Sequence, residues 1–328
     1  MRRRDVVKAA LAGAAVAGLG APAVAQVAWP QPGRTVKVIV PWPPGAANDA
    51  LGRLFAQRLQ EKLGATAIVE NRSGGSGLIG TKAVIQAEPD GYTFLASAFN
   101  TAVMPLVLKG ANFDPETDLE ILARTAVAPL VCVISATRPQ TTVSEIVDAA
   151  RAAPRDWNVA IASLGAAGHL ATIELLRRTG VKIDLVPYRG TAPALQDVMA
   201  GNVQLLIDTS FALLPAASDG TRVRAIGIAA AQRSVLAPDV PTMAEAGLPG
   251  FEFNSWYGLW APKGTPPGMA GRVNALMQET MREPEVAAKL RATLLEPVSE
   301  SSDDSRRFIR SEIVRARELL KSVNFEPA

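Results

Sequence analysis

The sequence predicts an α/β protein of two lobes with a cleft between them, on three observations. Short β-branched runs alternate with helical patterns from Thr35 to Asp208. The chain has 328 residues, enough to bury two cores. Everything after Pro266 reads as nearly all helical. Alternation of this kind argues for parallel sheets covered by helices. Helices that follow the last strands must pack on a sheet already built, so the C-terminal segment is placed on the first lobe, which becomes discontinuous. The lobes are expected at 26–126 with 248–328, and at 127–247. The crossings fall near Ala126–Pro129 and near Pro241–Phe251, where "PDVPTMAEAGLPGF" concentrates proline and glycine.

The elements follow in order. "VKVIV" from Val36 is the first strand, and Leu51, Leu54, Phe55, Leu59 and Leu63 then recur on one face of a helix that stops at Gly64. "TAIVE" is the second strand and Leu78–Gln86 the second helix. The Asp90-Gly91 turn introduces "YTFLAS", and "APLVCVIS" reads as a further strand. Thr142 and Glu145 have the spacing of a capping box and open a helix to about Ala152. "WNVAIAS", a helix from about His169, "IDLVPY", a helix to Met199 and "VQLLID" repeat the rhythm.

The first residues stand apart from this pattern. Arg2, Arg3 and Arg4 precede an apolar stretch from Ala9 to Gly20, and Ala23-Val24-Ala25 is a small-residue cleavage pattern before Gln26. That is the layout of a secretory leader, here 1–25, with adjacent arginines of the twin-arginine kind. Export, cleavage after Ala25 and a periplasmic location are expected. The chain carries 34 basic and 31 acidic residues, but four of the basic ones and one acidic one lie in the first 25. The remainder is balanced at 30 against 30, so its surface offers no footing for nucleic acid. Cys132 is the only cysteine and His169 the only histidine, which leaves no disulfide and too few ligands for a zinc site.

Two enzymatic readings are weak. Gly75, Gly77 and Gly80 in "GGSGLIG" satisfy G-x-G-x-x-G, but "NRSG" separates them from the strand, and the next strand ends in "AS" instead of an acid. A glycine-rich turn shaping the cleft rim accounts for them. A hydrolase would need Ser163, His169 and either Asp208 or Asp184 together, without a G-x-S-x-G elbow. One histidine in a loop of alanines is thin equipment for catalysis.

Two loops remain, and they are alike. "PWPPGAAND" follows the first strand, and "SLGAAGH" follows "WNVAIA". Each ends a strand, opens a helix, lacks lysine and arginine, and keeps its residues small. Helix N-termini carry unpaired N–H donors and a partial positive charge, so two such loops facing across a cleft form an anion clamp. Taken singly, each is also an ordinary capped turn, with Asn48 or Asp49 as the N-cap.

Several segments, in order, resemble the tripartite tricarboxylate transporter substrate-binding proteins, also called Bug receptors: "VKVIVPWPPGAAND", "IVENRSGGSGLIGTKAV", "PDGYT", "HLATIELL", "VPYRGTAPALQDVMAGNVQLLID" and "PDVPTMAEAGLPGFEFNSWYGLWAPKGTP". The resemblance spans essentially all of the chain beyond the leader. It implies a type II periplasmic binding fold and a monomer that closes on a small organic acid, without cofactor or catalysis, and delivers it to the membrane subunits of a transporter. It also implies a ligand carboxylate held by backbone amides and waters from the first loop of each lobe.

Carried onto this chain, the first ligand loop is Trp42, Pro43, Pro44, Gly45, Ala46, Ala47, Asn48 and Asp49, with the two alanines where glycines are frequent. Ser97, Asn100 and Thr101, in the loop after "YTFLA", line the same cleft. In the second lobe Ser163, Gly165 and His169 match the family's loop, which is about two residues shorter here, and Ala166 and Ala167 replace a usual hydroxyl. Asp208 matches an acidic residue that often faces the ligand. Trp42, Ala166 and Ala167 favour an acid with an apolar or aromatic body over a citrate-like polyacid. A receptor feeding a signalling kinase would share this fold and ligand, and a serine or histidine hydrolase is the remaining alternative.

Overall fold

The computed structural model describes residues 29–328. The expected leader lies outside the described residues. Strands β1 (Thr35–Val40), β2 (Thr66–Asn71) and β3 (Thr93–Ala98) alternate with helices α1 (Ala47–Leu63), α2 (Leu78–Ile85) and α3 (Phe99–Val107). The long strand β4 (Leu119–Ser135) follows, then α4 (Val143–Ala152), β5 (Asn158–Ile161), α5 (Ala167–Thr179), β6 (Asp184–Pro187) and α6 (Thr191–Ala200). The second lobe is completed by β7 (Leu205–Thr209), α7 (Ser210–Ala216) and β8 (Val223–Ile228). The chain then returns through β9 (Asn254–Pro262), α8 (Pro267–Arg282), α9 (Pro284–Arg291), the short β10 (Glu296–Pro297) and α10 (Ser302–Ser322).

The strand order is β2-β1-β3-β9-β4-β7-β5-β6, with β8 and β10 also paired to β4. The wings match the sequence expectation: β1 is parallel to β2 and β3, and β5 is parallel to β6 and β7. The centre does not. β9 runs antiparallel to both β3 and β4, and β4 antiparallel to β7 and β8, so the sheet is mixed. β9 was not among the expected strands. Eight of its nine residues are buried, so it lacks the alternation that marks a half-exposed strand.

β4 joins the two lobes. Its first part pairs with β9 from Leu119↔Pro262 to Pro129↔Asn254, and from Leu130 onward it pairs with β7 and β8. The second crossing lies against the first: the Leu130 N–H donates to the Phe253 carbonyl, and the Phe253 N–H to that of Ala229. The capping box at Thr142 and Glu145 is formed, with each residue's side chain meeting the other's N–H. Helix α10 lays Ile309, Ile313, Ala316 and Leu320, one helical stripe, on the back of both lobes beside α3 and α5. Helix α10 therefore does not lie on the first lobe alone, whereas α8 packs against α1 of that lobe. Among the described residues no helix is long and apolar enough to cross a membrane.

Candidate ligand-binding site

The carboxyl ends of β1, β3, β5, β6 and β7 all open on one cavity of about 320 Å³ between the lobes. This is where open α/β sheets place their ligands. The two loops singled out by sequence face into it and share one internal design. Gly45 (φ 90°) and Gly165 (φ 76°) each turn the chain through the left-handed region, which a side chain disfavours. An extended alanine, Ala46 or Ala166, is then the N-cap. Three residues on, a side chain reaches back: Asp49 Oδ2 accepts from the Gly45 N–H at 3.0 Å, and His169 Nδ1 from the Gly165 N–H at 3.1 Å.

Asp49 and His169 thus brace the loops and do not line the cavity. Asp49 is buried and also accepts from Arg53 Nε (2.9 Å) and Asn71 Nδ2 (2.9 Å), while Asn71 additionally donates to the Trp42 carbonyl. Burial pushes the Asp49 carboxyl up, but the bonds from Arg53, Asn71 and Gly45 outweigh it and leave its pKa below the usual value. His169 is 2% exposed, and burial lowers its pKa from the usual 6.5 to about 4. It is neutral at neutral pH, and since Nδ1 accepts, the proton sits on Nε2. Its ring meets Phe325 edge-on at 5.6 Å.

The bracing frees the first N–H groups of each helix. Those of Ala46, Ala47 and Asn48 at α1, and of Ala167 and Gly168 at α5, have no acceptor among the described residues. The Asn48 side chain lines the cavity, is 7% exposed, and its Nδ2 has no hydrogen-bond partner. Trp42, Pro44, Gly45, Ser163, Ala166, Ala167 and Asp208 line the cavity as well. Trp42 is backed by the glycine-rich turn at 75–77, where a Cβ on Gly77 would come within 3.3 Å of the indole.

Asn100 also lines the cavity, and its Nδ2 donates to the Ser76 carbonyl at 3.2 Å. Ser97 and Thr101 lie below the cavity lining, buried and joined to each other at 2.7 Å. Asn100 and Thr101 belong to the first turn of α3, not to a loop, because the helix starts directly where β3 ends. Gly165 is likewise off the lining; it is where the second lobe touches the first, with Val107 2.8 Å from the position of a Cβ. A Ser-His-Asp triad is not assembled: Ser163 Oγ donates to the Leu164 carbonyl, His169 Nδ1 is occupied by Gly165, and Asp208 bonds to Thr191 and Thr209.

Sequence reasoning passed over a third junction, "YRGTAP", between β6 and α6. Arg189, Gly190 and Thr191 line the cavity, and Arg189 is exposed and makes no ion pair among the described residues. The clamp is therefore not free of cationic side chains. The available signal was the shared pattern of strand, glycine and helix start, since Gly190 (φ 127°) precedes α6 as Gly45 precedes α1. Among the described residues no cluster of histidine, cysteine, aspartate or glutamate could hold a metal.

A mixed α/β fold in two lobes, with unpaired helix starts facing a cavity between them, defines a binding protein of the periplasmic type. Residues 51–325 match the family described as tripartite tricarboxylate transporter family receptor, and the chain belongs to it. Its members are receptors, not enzymes. The chain is 34% identical to BugT of Bordetella pertussis over 303 residues, 92% of each chain. Two solved structures superpose closely. Rpa4515 of R. palustris, determined with adipate, has a TM-score of 0.85 at 34% identity, covering 90% of this chain and 99% of that one. MatC of Rhodopseudomonas palustris, with bound malate, has 0.81 at 29%, covering 88% and 100%.

Proposed function

We propose that this protein is exported, captures a short organic carboxylate in the interlobe cavity, and hands it to the membrane subunits of a tripartite tricarboxylate-type transporter. The observation that carries the reading is the pair of braced helix starts together with the unpartnered, buried Asn48 Nδ2 on the same cavity wall. Buried donors without acceptors are costly, and a carboxylate supplies acceptors to several at once. Hydrogen bonds to a charged group contribute about 1.5–3 kcal/mol each, and a helix N-terminus about 0.3–2 kcal/mol. Three or four such contacts, less the cost of ordering, suffice for roughly micromolar affinity, near −8 kcal/mol. The adipate of Rpa4515 and the malate of MatC support an acid of this size.

The same proposal places residues 1–25 as a leader removed after Ala25, and divides the remaining monomer into 26–126 with 248–328 and 127–247, hinged at the two crossings. Calorimetry of the purified protein against adipate, malate, benzoate and citrate tests the binding. Saturable heat from at least one acid, together with compaction in small-angle scattering, is expected. Absence of heat from all four would refute it.

A further inference from the structure

The cavity lining contains two charged side chains, and they form no ion pair with each other. On the second lobe the strands run β4, β7, β5, β6 outward from the hinge. Asp208 ends β7 beside the crossing, while Arg189 follows β6 at the outer edge, and the loop of Ser163 lies between them. The acid and the cation form no ion pair among the described residues, although Thr191, two residues after Arg189, bonds to Asp208. The first lobe repeats the direction: Ser255 and Tyr257 of β9 lie near the hinge, Asn100 follows β3, and Trp42–Asn48 follow β1.

Asp208 is buried, and no cation reaches it. Its Oδ2 accepts from Thr191 Oγ1 at 2.7 Å and its Oδ1 from the Thr209 N–H at 2.7 Å. A carboxylate has about four acceptor sites, so each oxygen retains capacity on a wall of the cavity. Burial lifts its pKa, with the bonds from Thr191 and Thr209 opposing. A second carboxylate placed there would face a like charge away from water, whereas a donor would complete the coordination.

Resting on the carboxylate reading above, we infer that the preferred ligand is a short acid with unlike ends: a carboxylate toward the helix starts and Arg189, and a hydrogen-bond-donating hydroxyl or ammonium group at Asp208. The test uses matched acids that differ at one end only: adipate, 6-hydroxyhexanoate and 6-aminohexanoate, with succinate, 4-hydroxybutanoate and 4-aminobutanoate as the shorter set. Calorimetry is run on the wild type and on Asp208→Asn. The wild type should bind a hydroxy or amino acid at least tenfold more tightly than the dicarboxylate of the same length. Asp208→Asn, which removes the negative charge and adds a donor, should narrow that ratio by tenfold or more, chiefly by tightening the dicarboxylate. Should the variant not fold, the wild-type ranking decides. A wild type that binds the dicarboxylates as tightly as the donor-ended acids overturns the inference and leaves the carboxylate reading standing, as does an unchanged ratio in a folded variant. If no acid of either length binds, both fall.

Discussion

His169 couples a ligand-loop brace to solution pH, and its effect can be worked out. Its pKa is depressed from 6.5 to about 4 by burial, so between these values the unfolded chain binds a proton that the native state refuses. The associated stability is complete above the unfolded value and is lost as pH falls through this window. By about pH 5 the unfolded histidine is almost fully protonated and the native one about a tenth, a loss of about 2 kcal/mol relative to pH 7.5. His169→Asn keeps an acceptor available for the Gly165 N–H without a group that titrates, although it gives up the packing on Phe325. Urea denaturation of both proteins at the two pH values isolates the histidine, because every other titrating group is common to both. The wild type should lose about 2 kcal/mol more than the variant on acidification. Equal losses would mean that His169 is accessible to protons in the folded state, and that the neutral brace is wrong.

Three substitutions probe the rest of the cavity. Asn48→Ala removes a side-chain donor that has no protein partner, so it should weaken the best-binding acid about 10- to 100-fold without lowering the unliganded melting temperature; unchanged affinity would remove Asn48 from the site. Gly168→Ala would put a Cβ 2.0 Å from the Ile207 carbonyl oxygen, forcing α5 off β7; a loss of about 1–3 kcal/mol in denaturation together with lost binding is expected, and a variant of wild-type stability would contradict the packing. Arg189→Ala should leave stability within about 0.5 kcal/mol, weaken binding up to about fivefold, and flatten its salt dependence. An unaltered salt profile would place Arg189 outside the ligand's reach.

The parts of the site that were legible in the sequence are those whose chemistry is local. Gly45 and Gly165 are needed where a strand turns directly into a helix, and "GAAND" and "GAAGH" display that need in consecutive letters. The roles of Asp49 and His169 were not legible, because the side chain at the third helical position can face the ligand or turn back on the loop. Here both turn back. Arg189 enters the cavity only because β6 is the edge strand beside β5, and strand order among distant segments leaves no trace in periodicity. The antiparallel pairing of β9 with β4 escaped for the same reason. A valine at Gly165 would cost stability as well as binding, because the position has a left-handed φ and Val107 lies against it.

The 17-residue strand β4, roughly 55 Å long, belongs to both lobes, and one apolar cluster runs from Ile39 and Leu95 through Leu130 to Ile161 and Ile207. Neither lobe can melt without stripping partners from a strand that the other still requires. Heat should therefore dissolve the molecule in one step, with a single calorimetric peak whose van't Hoff and measured enthalpies agree. The lobes are separate as walls of a cavity and inseparable as folding units. A fragment cut at either crossing would carry half a ladder and an open core, and would be expected to remain unfolded until its complement is supplied.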